Sequence, residues 1–186
     1  MSKTINIGIA GLGTVGCGVI DNLSRNKENL KDKYDLDFNI IGVSASNKTK
    51  KRSINIEKFN WFSNPLDLAK DKDIDLIIEL IGGEKGIAFD LAVDTIKNKK
   101  GFITANKALI STNGKTLSDL SFKNDVFFGY EAAVAGGIPI IKTLKSGLFL
   151  DKINDIYGIL NGTSNFILSR MNSVNKSFEE ALVEAQ

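Results

Sequence analysis

Residues 5–18 read INIGIAGLGTVGCG, and this stretch decides the fold. Ile5, Ile7 and Ile9 are β-branched and sit among small residues, the pattern of a strand buried on both faces of a parallel sheet. A turn follows at once, in which Gly11, Gly13 and Gly16 give G-x-G-x-x-G. The first glycine allows a tight turn, the second lets a pyrophosphate approach the backbone, and the third lets a helix pack closely on the strand. Val15, Val19, Ile20 and Leu23 then recur at helical spacing. The predicted helix would aim its free N–H groups and positive dipole end at phosphates. A glycine triplet alone is a weak signal, but between a strand and an amphipathic helix it points to a dinucleotide site.

Composition narrows the field around that site. The chain has 186 residues, enough for one ordinary domain or one and the start of another. No apolar run is long enough to span a bilayer and no secretory signal pattern is present, so the expected compartment is the cytoplasm, with no membrane partner. A net charge of +2 makes no electrostatic case for nucleic acid. The single cysteine, Cys17, excludes an internal disulfide and reads as a small core residue. There is no histidine. This excludes a His-based triad within the chain and leaves Lys, Asp, Glu, Tyr or water to carry protons. It also removes the usual transition-metal ligand.

Outward from the glycine turn, residues 24–37 are polar and read as a helix end and loop. Residues 38–44, FNIIGVS, are a second strand. A ribose-reading carboxylate is expected near its end, about 20 residues beyond the glycines. Ala45, Ser46 and Asn47 stand there instead, followed by Lys48, Lys50, Lys51 and Arg52. Without the acid nothing repels a 2′-phosphate and the cluster offers counter-charges, which favours NADP; the same run also fits a solvated loop. Trp61 and Phe62 form a short strand or an aromatic corner, and Asn64-Pro65 opens a helix. Residues 75–81, DLIIELI, are a buried strand in which Glu79 is expected either to cap a neighbouring backbone group, the favoured reading, or to face the cofactor cleft. A helix at 87–97, a strand at 101–104, a helix around 117–122 and a strand at 126–129 complete a doubly wound parallel α/β sheet of Rossmann type. Lys107 follows the strand at 101–104, on the edge of the sheet where ligands lie.

The texture changes near residue 130. Residues 130–142, YEAAVAGGIPIIK, place one carboxylate beside a tight glycine turn whose carbonyls could hold a hard cation, or which is simply a strained crossing between domains. A helix is expected through Ile140, Ile141, Leu144 and Leu148, a strand at 153–160, a polar cap at 161–165 leading to a helix at 166–171, and a capping box at Ser177 and Glu180 opening a last helix.

Taken together, GLGTVG at 11–16, ELIGG at 79–83, TANKALIS at 104–111, YEAAVAGGIPII at 130–141 and GILNGTSNFIL at 158–168 resemble the homoserine dehydrogenase family, in matching order. The resemblance implies an NAD(P)-binding domain at 1–130 and the beginning of an α+β substrate and dimerisation domain at 131–186. It implies NAD(P)-dependent interconversion of L-aspartate 4-semialdehyde and L-homoserine, and a homodimer when complete. It places Gly11, Gly13, Thr14, Val15 and Gly16 on the pyrophosphate and Ser46 where relatives often carry an arginine for the 2′-phosphate, a task that would pass to Lys48 or Lys50. Lys107 is implied near the nicotinamide and the reacting carbonyl. Glu131, Val134, Gly136 and Ile138 match the family's structural alkali-cation site, for Na⁺ or K⁺. The family's acidic substrate-binding stretch and second lysine have no counterpart in these residues, so poor turnover is expected. Two competing readings are a non-catalytic nucleotide-binding module, which would need neither Lys107 nor the cation motif, and a dehydrogenase for another small aldehyde, which shares only the glycine turn.

Overall fold

The computed structural model describes residues 3–159 and 161–186. They fall into two compact units, Met1–Gly136 and Gly137–Gln186.

The first unit is a six-stranded sheet with every pairing parallel, in the order β3-β2-β1-β4-β5-β6. In chain order it runs β1 (Lys3–Ala10), α1 (Thr14–Arg25), α2 (Lys27–Tyr34), β2 (Leu36–Ser44), β3 (Asn60–Phe62), α3 (Leu66–Lys70), β4 (Leu76–Glu79), α4 (Ile87–Lys97), β5 (Gly101–Thr104), α5 (Lys107–Asn124) and β6 (Phe128–Gly129). The strands first progress to one side of β1 and then, from β4, to the other. This reversal between β1 and β4 is a topological switch point, and ligands of such sheets lie beyond the carboxyl ends of the strands there.

Two cores cover the two faces of the sheet. Ile7 and Ile9 of β1 pack with Ile20 of α1, Val43 of β2 and Ile78 of β4. Ala10 belongs to the opposite cluster, with Leu68 of α3, Ile77 of β4, Leu91 and Ile96 of α4, Phe102 of β5 and Leu109 and Leu117 of α5. The second half of β1, residues 7–10, is therefore buried on both faces of the sheet. Residues 24–37 depart from the loop reading, because Lys27–Tyr34 are helical and stop at Asp35 in the left-handed region, φ 53°. KENLKDKY is rich in helix-forming Lys, Glu and Leu, and its propensity acts without an apolar stripe.

The second unit contains a short turn α6 (Ile140–Lys142) that widens into a π-type turn at Thr143–Gly147, then α7 (Gly162–Ser173) and α8 (Phe178–Ala185). The helix read from Ile140 to Leu148 is thus only a few residues of α-helix. The strand read at 153–160 does not form at residues 153–159, and Leu160 lies outside the described residues. Ile153, Ile156 and Ile159 recur every third residue rather than every second, and the described part of this unit has no strand to pair with them. α7 begins four residues earlier than the sequence spacing indicates, because Asn161 Oδ1 caps it by accepting from Ser164 N at 2.8 Å. α7 packs on α8, and Glu184 of α8 takes Arg170 at 2.7 Å and also pairs with Lys176. Among the described residues no helix is long and apolar enough to cross a membrane.

Candidate functional site: a cleft across the sheet's switch point

The glycine turn assigns each glycine a different physical task. Gly11 has φ +106°, and a Cβ on it would lie 2.4 Å from Leu80 O. Its N–H donates to Ser44 O at 2.8 Å, which locks the turn to the end of β2. Gly16 is buried, and a Cβ there would meet Gly11 O at 2.0 Å, so it is what lets α1 approach the strand. Gly13 has nothing within 4 Å of a built Cβ and is the N-cap of α1 with no side-chain cap bond. The first N–H groups of α1 are thus left for a ligand, and backbone rather than side chain faces it. Thr14 and Val15 follow as exposed residues at the head of α1. Val15, part of the apolar stripe in sequence, is 59% exposed and faces the cleft rather than the core.

On the β2 side of the turn lies a cavity of about 400 Å³. Gly11 and Gly13 form one wall, Ser44, Ala45 and Ser46 a second, and Lys50 and Arg52 a third; Ser63 and Pro65 after β3, with Leu80, Ile81 and Ile87 beyond β4, close it. No Asp or Glu lines it. Ser44 is 1% exposed, and its Oγ has no hydrogen-bond partner among the described residues. Such a hydroxyl is costly unless a ligand or water satisfies it. Arg52 is held by backbone carbonyls: Nε donates to Leu12 O at 3.3 Å, one terminal nitrogen to Lys50 O at 2.8 Å and the other to Asn47 O at 2.5 Å. These neutral acceptors fix the guanidinium and leave its charge uncompensated. Lys48 and Arg52 both lie 5.9 Å from the centroid of the Trp61 ring, but Lys48 does not line the cavity.

On the β4 and β5 side a smaller cavity of about 170 Å³ is lined by Val15, Leu80, Ile81, Gly82, Ala105 and Asn106. The two cavities share Leu80 and Ile81, so they adjoin across the switch point and are together termed the cleft. Its lower wall hangs on Glu79, which is fully buried. Glu79 Oε1 accepts from Ile81 N at 2.6 Å and Gly82 N at 3.2 Å, and Oε2 accepts from the Thr104 hydroxyl at 2.5 Å. The cap expected of this carboxylate is thus present, and it reaches two strands. Asn106 N donates to Thr104 Oγ1 at 2.9 Å, while the Asn106 side chain donates to Gly83 O and accepts from Leu109 N at 3.0 Å, capping α5. Lys107 is the first residue of α5, exposed, and next to the cavity wall without lining it.

Glu131 opens a 3₁₀ turn, Glu131–Ala133, closed by Val134 N donating to Glu131 O at 3.1 Å. Ala135 and Gly136 follow with φ 54° and 63°. Glu131, Val134 and Gly136 lie in the first unit and Ile138 in the second. Two features of the cleft escape sequence reading. The carbonyl cage of Arg52 is assembled from Leu12 in the glycine turn and from Asn47, Lys48 and Lys50 in the loop after β2. The Glu79–Thr104–Asn106 network depends on β4 and β5 pairing Glu79 with Thr104.

A glycine turn at the switch point of a 3-2-1-4-5-6 parallel sheet, with adjoining cavities to either side, defines a dinucleotide-binding domain of Rossmann type. Comparison with known proteins makes this specific. The family model described as "Homoserine dehydrogenase, NAD binding domain" matches residues 11–131, and that described as "Homoserine dehydrogenase" matches residues 139–186. The chain belongs to the homoserine dehydrogenase family. The homoserine dehydrogenases of Neisseria gonorrhoeae and Bacillus subtilis are 41% and 39% identical to it, each over 99% of this chain and 42% of the relative. The crystal structure of a homoserine dehydrogenase from Thiobacillus denitrificans superposes with a TM-score of 0.85 at 39% identity, covering 99% of this chain and 42% of that one. A hyperthermophilic archaeal homoserine dehydrogenase in complex with NADPH shares the fold, with a TM-score of 0.80 at 22% identity over 98% of this chain and 60% of that one. The chain spans about 42% of the length of the curated relatives it matches.

Proposed function

We propose that the chain supplies the cofactor half of an enzyme that interconverts L-aspartate 4-semialdehyde and L-homoserine in amino-acid biosynthesis in the cytoplasm. Residues 1–130 are read as its NAD(P)-binding domain and residues 131–186 as the opening of its substrate domain. The carrying observation is the cleft itself, which runs from an acid-free basic cavity, past the glycine turn, to the head of α5.

In this reading the N–H groups of residues 13–16 hold the pyrophosphate at the positive end of α1. The adenosine ribose lies on the β2 side, where Ser44 and Ser46 offer hydroxyls and Lys50 and Arg52 offer positive charge; this favours NADP over NAD. The nicotinamide end lies on the β5 side. The cofactor carries the hydride. Lys107 stabilises negative charge on the substrate oxygen as the carbonyl becomes an alkoxide. A structural Na⁺ or K⁺ is assigned, on the family resemblance, to Glu131 and the carbonyls of Val134, Gly136 and Ile138, an all-oxygen set suited to a hard cation. A homodimer of the complete protein belongs to the same proposal.

Trp61 is the only tryptophan, with Lys48 and Arg52 both 5.9 Å from its ring centroid, so its emission should report on the β2-side cavity. Titrating the 186-residue chain with NADPH and NADH should quench it with both ligands and give NADPH an advantage of about tenfold or more, the worth of one charge-assisted contact. Equal affinities would remove the NADP assignment. Absence of binding by either would remove the whole reading.

A further inference from the structure

We propose that Glu79 sets the redox preference of the cleft, favouring an oxidised, positively charged nicotinamide over the reduced, neutral ring. The inference rests on the reading proposed above, in which the nicotinamide end lies on the β5 side, where Gly82 and Asn106 line the smaller cavity. Glu79 is 0% exposed, and none of the ion pairs among the described residues includes it. It accepts from two peptide N–H groups and one hydroxyl. Thr104 Oγ1 accepts from Asn106 N and donates to Glu79 Oε2, the direction that suits a carboxylate, which only accepts.

Hydrogen bonds satisfy the oxygens of such a group but do not cancel its charge. Two of its partners lead directly to the smaller cavity: Gly82 lines it, and Asn106, reached through Thr104, lines it too. The peptides are trans throughout, so turning the N–H groups of Ile81 and Gly82 toward Glu79 turns the carbonyls of Leu80 and Ile81 the other way. The wall shared by both cavities therefore has a negative charge beneath it and is built without an N–H aimed outward at these two positions. A buried charge acts through a low effective dielectric, whereas the exposed ammonium of Lys107 is screened by solvent and salt. A cationic ring gains from this field and a neutral ring does not.

A purely mechanical role is the competing explanation, because Gly82 and Gly83 have φ 88° and 86° and Glu79 plainly holds that turn. A latch acts on every ligand alike; a charge separates the two oxidation states. The test measures dissociation constants of NADP⁺, NADPH and 2′-phospho-ADP-ribose, which lacks the nicotinamide, for the 186-residue chain and its Glu79→Gln variant by calorimetry. Glu79→Gln should weaken NADP⁺ about five- to tenfold, move NADPH less than about twofold, and leave 2′-phospho-ADP-ribose unchanged. Equal losses for all three, or an unchanged NADP⁺ to NADPH ratio, would overturn the proposal and leave the cleft assignment standing. Failure of the unsubstituted chain to bind any of the three would overturn both. Should Glu79→Gln not fold, Glu79→Met removes the same charge with an apolar side chain of similar length and is measured on the same three ligands; an NADP⁺ to NADPH ratio equal to that of the unsubstituted chain counts against the charge.

Discussion

One added methyl group separates the three glycines of the turn. At Gly11 and Gly16 it would press on carbonyl oxygens 2.4 and 2.0 Å away, so Gly11→Ala and Gly16→Ala should each cost about 2–4 kcal/mol and lower the melting temperature by several degrees. At Gly13 it meets open space. Gly13→Ala should therefore melt within about 0.5 kcal/mol of the parent yet bind NADPH at least about tenfold more weakly, because the methyl occupies the phosphate's approach. A large loss of stability in Gly13→Ala would contradict the assignment of tasks. The basic run is divided in the same way. Arg52 is fixed in the cavity wall and Lys48 does not line the cavity, so Arg52→Ala should weaken NADPH about tenfold while Lys48→Ala leaves it nearly unchanged. The family resemblance singles out Ser46, with Lys48 or Lys50, in this loop, and of these Ser46 and Lys50 line the cavity. The importance of Arg52 depends on a chain reversal that brings residue 52 back to Leu12 O, which local pattern does not encode.

At the scale of single elements, legibility followed the source of each element's stability. The parallel strands of the first unit are written as short apolar runs because both faces are buried, and β1, β2, β4 and β5 are found where those runs lie. α8 is legible from its first four residues, since a capping box is a purely local device. There Ser177 N donates to Glu180 Oε2 at 2.9 Å and Glu180 N to Ser177 Oγ at 3.2 Å. The backbone hydrogen bond from Ser177, then its side chain, lowers the Glu180 pKa below its ordinary 4.5. A carboxylate lowered on folding contributes stability that is fully present above 4.5 and is lost as pH falls through the folded value. Carboxyl ¹³C titration should place the Glu180 midpoint below 4.5, and Ser177→Ala should move it back only part of the way, because the backbone donor remains. A midpoint at or above the ordinary value would show that the box is open in solution. Residues 153–159 were not legible in this way. A strand is stabilised by its neighbour, and three isoleucines spaced by three specify neither a partner nor a register.

At the scale of the whole molecule, the two units differ in what protects their backbones. The first encloses both hydrophobic clusters, whereas residues 152–159 of the second adopt neither helix nor strand and leave Ile156, Tyr157 and Ile159 at least 63% exposed. Proteases need a run of accessible extended chain, so trypsin should cut first after Lys152, itself exposed and in no helix or strand, and leave a resistant fragment carrying the whole sheet. Cofactor should then act on one step only. NADPH at a hundred times its dissociation constant stabilises the unit that binds it by about 2.7 kcal/mol, which slows further digestion of the sheet fragment roughly a hundredfold if cleavage proceeds through its unfolding. The cut after Lys152 needs no unfolding of the sheet and should keep its rate. A first cut within residues 3–136, or an equal slowing of both steps by NADPH, would show that the nucleotide cleft and the helical unit do not respond as separate cooperative bodies.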